Sequence, residues 1–289
     1  IMRVLIIDDS VVFRSQISAA LTGYAEIEIA GTAPNGSIAL QKLEQLSVDL
    51  VTLDMEMPDM DGITVLKEIR KREFKVKVIV FSSLTTKGAT KAIEALEQGA
   101  DDVIAKPGGD LGGKTPAEAI RDSLLPKILQ FMPKEQVKNI APQEPVRPLL
   151  GQEPVREKFE RLNLFNIRPA AMVIGCSTGG PNALETIFAK IRPPIAMPIL
   201  IVQHMPPLFT EILAKRISDL CGLVCREGKD GEPIENGRVY LAPGDYHMEV
   251  VRGGVQNTIR LTKEPQRNSV RPAADYLFET AADAYGKNL

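Results

Sequence analysis

Residues 3–8 (RVLIID), 48–54 (VDLVTLD) and 76–83 (VKVIVFSS) are apolar at nearly every position rather than at every second one. A strand of that kind must be covered on both faces, which is the situation in a parallel sheet with helices packed above and below it. The intervening segments SQISAAL, SIALQKLEQL and GITVLKEIRKR repeat their apolar residues at three and four spacing, the period of an amphipathic helix. Five βα units of this kind, closed by AEAIRDSLLPKILQF, predict a doubly wound α/β domain with right-handed crossovers over residues 2–131.

The pattern breaks at residue 132. Pro133, Pro142, Pro145, Pro148 and Pro154 interrupt any period and glycine is nearly absent, so 132–168 is expected to be a semi-stiff linker. Within it, EPVREKFERL is expected to add a short amphipathic helix. From 169 to 289 a second parallel α/β sheet is expected. AAMVIG and MPILIV read as strands, and NALETIFAKI and LFTEILAKRISDL as helices. VRGGVQ marks a β-hairpin, and AADYLFETAADAYG is a helix closed by Gly286.

Composition removes several functions. A formal net charge of −2 gives no reason to expect nucleic acid, and no basic recognition helix follows the linker. No apolar run approaches the roughly 20 residues of a membrane span. The amino terminus, with acids by position 8, is no signal peptide, and a cytoplasmic protein is expected. Ile1, ahead of Met2, reads as an added residue. Three cysteines suit a reducing compartment. Cys221 and Cys225 are expected on one side of a helix as buried thiols, without the further ligands that zinc requires.

Two constellations carry chemistry. In the first, Asp8 and Asp9 close the first strand, Asp54 the third, Ser82 and Ser83 the fourth, and Lys106 follows the fifth. Ligands collect beyond the carboxyl ends of parallel strands. Carboxylates gathered there repel one another unless a cation joins them, and hard oxygens with open positions favour magnesium. DDS, DMEMPDMDG, FSS and KP in this register resemble the receiver domain of bacterial response regulators, a flavodoxin-like fold. That resemblance implies Asp54 as phosphoacceptor from a chemotaxis histidine kinase. It also implies Mg²⁺ held by Asp9, Asp54 and the Glu56 carbonyl, with Asp8 acting on it through water, and Ser82 and Lys106 contacting the phosphoryl group. Val103 stands where many receivers carry a switching aromatic residue.

The second is VIGCSTGGPNAL at 173–184, a strand entering a glycine-rich turn before a helix. Such a loop can cradle an anion, pack closely, or expose Ser177 as a nucleophile. Of the two histidines, His204 follows the next strand and is expected beside Ser177, whereas His247 lies in the hairpin and is expected to be structural. IGCSTGG with QHMPPLFT, YLAPGDYHM and RPAADYLF resembles the protein-glutamate methylesterase family of bacterial chemotaxis, whose catalytic domain is Rossmann-like. The resemblance implies Ser177 as nucleophile, His204 as base and Thr178 in the oxyanion site, with no cofactor for the esterase. The implied substrates are glutamyl methyl esters, and glutamines for deamidation, on chemoreceptor cytoplasmic domains, without membrane insertion. The family's orienting aspartate lies in a further segment, so a chain ending at Leu289 is expected to be truncated and impaired.

The fused arrangement further suggests a receiver that covers the Ser177–His204 cleft until Asp54 is phosphorylated. Arg267 and Arg271 are expected at the surface as solvated charges or as contacts to acidic receptor helices. The competing reading is a non-catalytic receiver-adaptor, which a serine-reactive probe at Ser177 would separate from an esterase.

Overall fold

A computed structural model describes residues 1–109, 111–132, 168–268 and 270–289. The first sheet contains β1 (Met2–Ile7), β2 (Ile27–Ala33), β3 (Leu50–Asp54), β4 (Lys77–Ser82) and β5 (Asp102–Ala105), in spatial order β2-β1-β3-β4-β5. All its pairings are parallel. Helices α1 (Val11–Leu21), α2 (Gly36–Gln45), α3 (Gly62–Lys71), α4 (Thr86–Glu97) and α5 (Pro116–Gln130) alternate with the strands. Each begins on a residue whose side chain accepts a backbone N–H: Ser10, Asn35, Asp61, Thr85 and Thr115. Thr115 and Glu118 form a reciprocal capping box.

Both faces of this sheet are buried, as the continuous apolar strands require. Val4, Ile6, Ile79 and Phe81 pack with α1 and α5, while Leu5, Ile7, Val51 and Val80 pack with α2, α3 and α4.

The second sheet contains β6 (Met172–Cys176), β7 (Ile199–Gln203), β8 (Val224–Glu227) and β9 (Arg238–Leu241), parallel throughout, in order β6-β7-β9-β8. Helices α6 (Gly180–Phe188) and α7 (Phe209–Cys221) cover one face. The antiparallel hairpin β10 (His247–Val251) and β11 (Thr258–Thr262), together with α8 (Ala274–Tyr285), covers the other. A 3₁₀ turn follows at Gly286–Asn288, where the Asn288 carbonyl accepts the Ala170 N–H.

Two readings change and one is untested. Residues 224–227, VCRE, are too short and too mixed to announce a strand, yet β8 pairs with β9 at the sheet edge. Gly222, at φ +72°, ends α7 in the left-handed region, so Cys221 closes a helix while Cys225 lies on β8. The two cysteines do not share a helix face, although both are buried. The helix expected in EPVREKFERL lies outside the described residues.

Contact between the two sheets runs through α4, which packs on α6 and α7. Ala89, Ala92 and Leu96 belong to the same apolar cluster as Leu184, Phe188 and Leu213. No helix among the described residues is long and apolar enough to cross a membrane.

Candidate active site and acidic pocket

The carboxyl edge of the first sheet gathers the predicted acids. Asp8 and Asp54 are 1% and 2% exposed, whereas Asp9 is exposed. Carboxylate oxygens of all three lie within 4.8 Å of one another. Lys106 Nζ stands 2.9 Å from Asp8 Oδ2 and 2.9 Å from Asp54 Oδ2. Backbone amides take the remaining oxygens, with Ser10 N–H donating to Asp8 at 2.8 Å and Glu56 N–H to Asp54 at 3.1 Å.

Burial pushes the Asp8 carboxyl above its usual range, and the Asp54 charge adds to that, against the pull of Lys106. For Lys106, burial acts downward but the hydrogen bonds to Asp8 and Asp54 outweigh it, so the ammonium is held above its ordinary value. The hydroxyl of Ser82 is buried without a hydrogen-bond partner among the described residues. Gly62 closes the pocket wall, since a Cβ there would lie 2.4 Å from the Asp54 carbonyl.

At the second sheet, adjacent strands deliver the serine and the histidine. Ser177 follows β6 and His204 follows β7, and the His204 N–H donates to the Cys176 carbonyl, extending the ladder by one rung. Gly179, at φ +74°, turns the chain into α6, where Pro181 occupies the first turn. His204 Nδ1 lies 3.2 Å from Ser177 Oγ. With the serine donating, the imidazole is neutral and carries its proton on Nε2, which is buried without a partner among the described residues. Burial and the nearby Lys127 charge hold the His204 pKa below 6.5, with Asp102 and Asp275 acting the other way. The ring is therefore unprotonated near neutral pH, as a general base must be. The adjacent Cys176 thiol is pushed up by burial to about 12, so it supplies no competing thiolate.

The first domain reaches directly into this loop. Thr178 donates its hydroxyl to Asp102 at 2.6 Å, and Lys127 holds the same carboxylate oxygen at 2.6 Å. Gly179 N–H donates to the Asp101 carbonyl at 3.2 Å, and Asn182 to the Ala100 carbonyl at 3.2 Å. Arg216 on α7 joins Glu185 at 2.5 Å and also pairs with Glu97 of α4.

Sequence reasoning brought Ser177 to His204 and Asp8, Asp9 and Asp54 to Lys106. It missed Asp102, Lys127 and Gln203. An aspartate opening the otherwise apolar DVIA strand and a glutamine ending ILIVQ were the available signals. The Thr178 hydroxyl, expected at the oxyanion site, is here bonded to the receiver.

His247 is fully buried, its Nδ1 accepting the Ala273 N–H and its Nε2 bonded to the Pro265 carbonyl, which fits a structural role. Arg271 is spent on Asp245, at 2.6 Å and 3.0 Å, and Arg267 on Glu279 at 2.8 Å. Both basic side chains are thus engaged within the chain.

Family models describe residues 4–111 as a response regulator receiver domain and 172–289 as a CheB methylesterase. A protein-glutamate methylesterase/protein-glutamine glutaminase of Trichodesmium erythraeum is 41% identical over 98% of this chain and 79% of its own length. One of the same name from Halalkalibacterium halodurans is 42% identical over 97% of this chain and 77% of its own.

Proposed function

The chain belongs to the protein-glutamate methylesterase/protein-glutamine glutaminase family, and from that premise we propose that it hydrolyses γ-glutamyl methyl esters, and deamidates glutamines, on chemoreceptor cytoplasmic domains. The observation that carries this reading is the 3.2 Å contact between Ser177 Oγ and an imidazole held neutral.

Ser177 passes its proton to His204 Nδ1 as Oγ attacks the ester carbonyl. The developing oxyanion is stabilised by main-chain N–H groups of this loop, among them the Gly179 N–H, which together with the Thr178 hydroxyl becomes available once Asp101 and Asp102 release them. The His204 imidazolium then gives its proton to the departing methoxide, and methanol leaves (ammonia, when the substrate is an amide). A water deprotonated by His204 attacks the glutamyl ester of Ser177, releasing glutamate and restoring the serine. Throughout, the buried Nε2–H of His204 requires an acceptor, the place at which the family's aspartate acts.

Residues 2–131 are proposed as the receiver, 132–168 as the linker and 169–289 as the catalytic region. Asp54 accepts a phosphoryl group from a histidine kinase, and Ser82 and Lys106 bind its oxygens. Asp8, Asp9, Asp54 and the Glu56 carbonyl form a hard oxygen set that suits Mg²⁺, which would screen the phosphoryl charge.

Strand β5 offers a route between the sites. Lys106 follows its carboxyl end, and Asp101 and Asp102, at its amino end, hold Gly179 and Thr178. Phosphorylation that shifts β5 and α4 frees the loop by biasing a two-state interface. Methanol release from a methylated receptor fragment, with and without a small acyl phosphate, tests the scheme. Activation that persists in Asp54→Asn would remove the regulatory half. No turnover and no Ser177 labelling in either state would leave the adaptor reading.

A further inference from the structure

Gln203 is the last residue of β7, fully buried, and the only polar side chain of that strand. A primary amide in such a place loses its water and must recover the loss through its partners. Its Nε2 donates to the main-chain carbonyl of Ser177 at 3.0 Å and leans on that of His204 at 3.4 Å. Its Oε1 has no hydrogen-bond partner among the described residues. The amide is therefore retained for what its Nε2 holds. Rotating the amide would set Oε1 against the Ser177 carbonyl, two acceptors face to face.

Gly180 completes the arrangement, because a Cβ there would lie 1.9 Å from Gln203 Oε1. Glycine at 180 leaves the amide its seat, while the Gly180 N–H donates to the same Ser177 carbonyl at 2.8 Å.

Resting on the esterase reading, we propose that Gln203 is a positioning residue that staples the nucleophile loop to the strand end bearing the base. One side chain spans the main-chain carbonyls of the two reacting residues, so it fixes the nucleophile loop against His204. The Oγ to Nδ1 distance of 3.2 Å is at the long end of the range for a hydroxyl donor, which leaves little slack before the bond is lost.

The experiment uses the full chain, a methylated receptor fragment and a fluorophosphonate probe, with acyl phosphate and Mg²⁺ present. Gln203→Met keeps the length and loses the donor. It is expected to lower kcat and the probe-labelling rate about 100-fold, with KM moving far less. Gln203→Glu presents a carboxylate to two carbonyls at alkaline pH but regains an O–H donor once protonated. Its activity is expected to recover toward acid pH until His204 protonates, giving an optimum below that of the unaltered chain. Gly180→Ala, whose added methyl displaces the amide, is expected to repeat the kcat loss. A purely structural glutamine would lower the melting temperature and leave kcat per folded molecule and the pH optimum unchanged, and that result overturns the proposal. An unaltered chain that neither labels nor turns over overturns the esterase reading and this inference with it. A reactive unaltered chain matched by an equally reactive Gln203→Met overturns the staple alone.

Discussion

The two sheets place their chemistry at the same topological address, just beyond the carboxyl ends of parallel strands, and then furnish it in opposite ways. The receiver pocket concentrates charge, with Asp8, Asp9 and Asp54 facing Lys106. The Ser177 site is nearly neutral: a hydroxyl, an unprotonated imidazole, a buried amide and main-chain N–H groups. The difference follows from the task each geometry suits. A phosphoryl group and its cation are recognised by formal charges of both signs. An ester becomes charged only in the transition state, so donors that are already oriented stabilise it better than a standing charge. What joins the sites is also electrostatic, since Asp102 lends one carboxylate to Lys127 and to Thr178.

The sharpest way to break this comparison is to remove the neutral site's hydroxyl. Ser177→Ala is expected to lower methanol release by about 100-fold or more and to abolish fluorophosphonate labelling, while phosphorylation of Asp54 proceeds unchanged. Turnover that survived would place the chemistry elsewhere. The converse substitution, Asp54→Asn, is expected to abolish phosphoryl incorporation and its stimulation of turnover, and to leave basal labelling of Ser177 intact.

The contact between the regions is tested by Asp102→Asn. A hydrogen bond to a charged group contributes roughly 1.5–3 kcal/mol and one to a neutral group roughly 0.5–1.5, so the asparagine, which still accepts from Thr178, is expected to raise basal turnover of the unphosphorylated chain about five- to tenfold. Unchanged basal turnover would show that the Thr178–Asp102 bond restrains nothing. Glu97→Gln removes one arm of the half-exposed Arg216 bridge, whose worth is about 0.2–1 kcal/mol, and a two- to fivefold rise is expected in the same assay.

The smallest effect concerns pH. Burial and Lys127 hold His204 below 6.5, so in the resting chain the acid limb of Ser177 labelling falls below that value. Displacing the receiver takes away Lys127, part of the burial and the opposing Asp102 charge; burial and Lys127 are the larger influences, so the limb is expected to move upward. The linked stability has the matching sign. A depressed histidine pKa stabilises the fold above the unfolded value, and that contribution is lost as pH falls through the folded one. A limb that moves downward on activation would refute the assignment of Lys127.

The receiver was largely legible because its signals are local. Strands apolar on both faces, helices with apolar residues at three and four spacing, and acids at strand ends are each written within a few residues. The pairing of Ser177 with His204 was legible for a related reason, since each follows a strand and consecutive strands of this kind are usually neighbours. Strand β8 was not legible, because four mixed residues carry no period and only the β9 edge makes them a strand. Cys225 went with it, set on that strand by the turn at Gly222 rather than on the helix of Cys221.

What the sequence by itself determined is which residues are available and which edge of each sheet they occupy, because hydrophobic period and turn chemistry act over short distances along the chain. What only the tertiary structure decided is the company those residues keep. Thr178 meets Asp102 across a separation of 76 residues, and Gln203 spans the carbonyls of Ser177 and His204. Such contacts arise from the packing of α4 on α6 and α7 and from a glycine at 180 that leaves room for an amide. Neither depends on local propensity, so no stretch of sequence announces it.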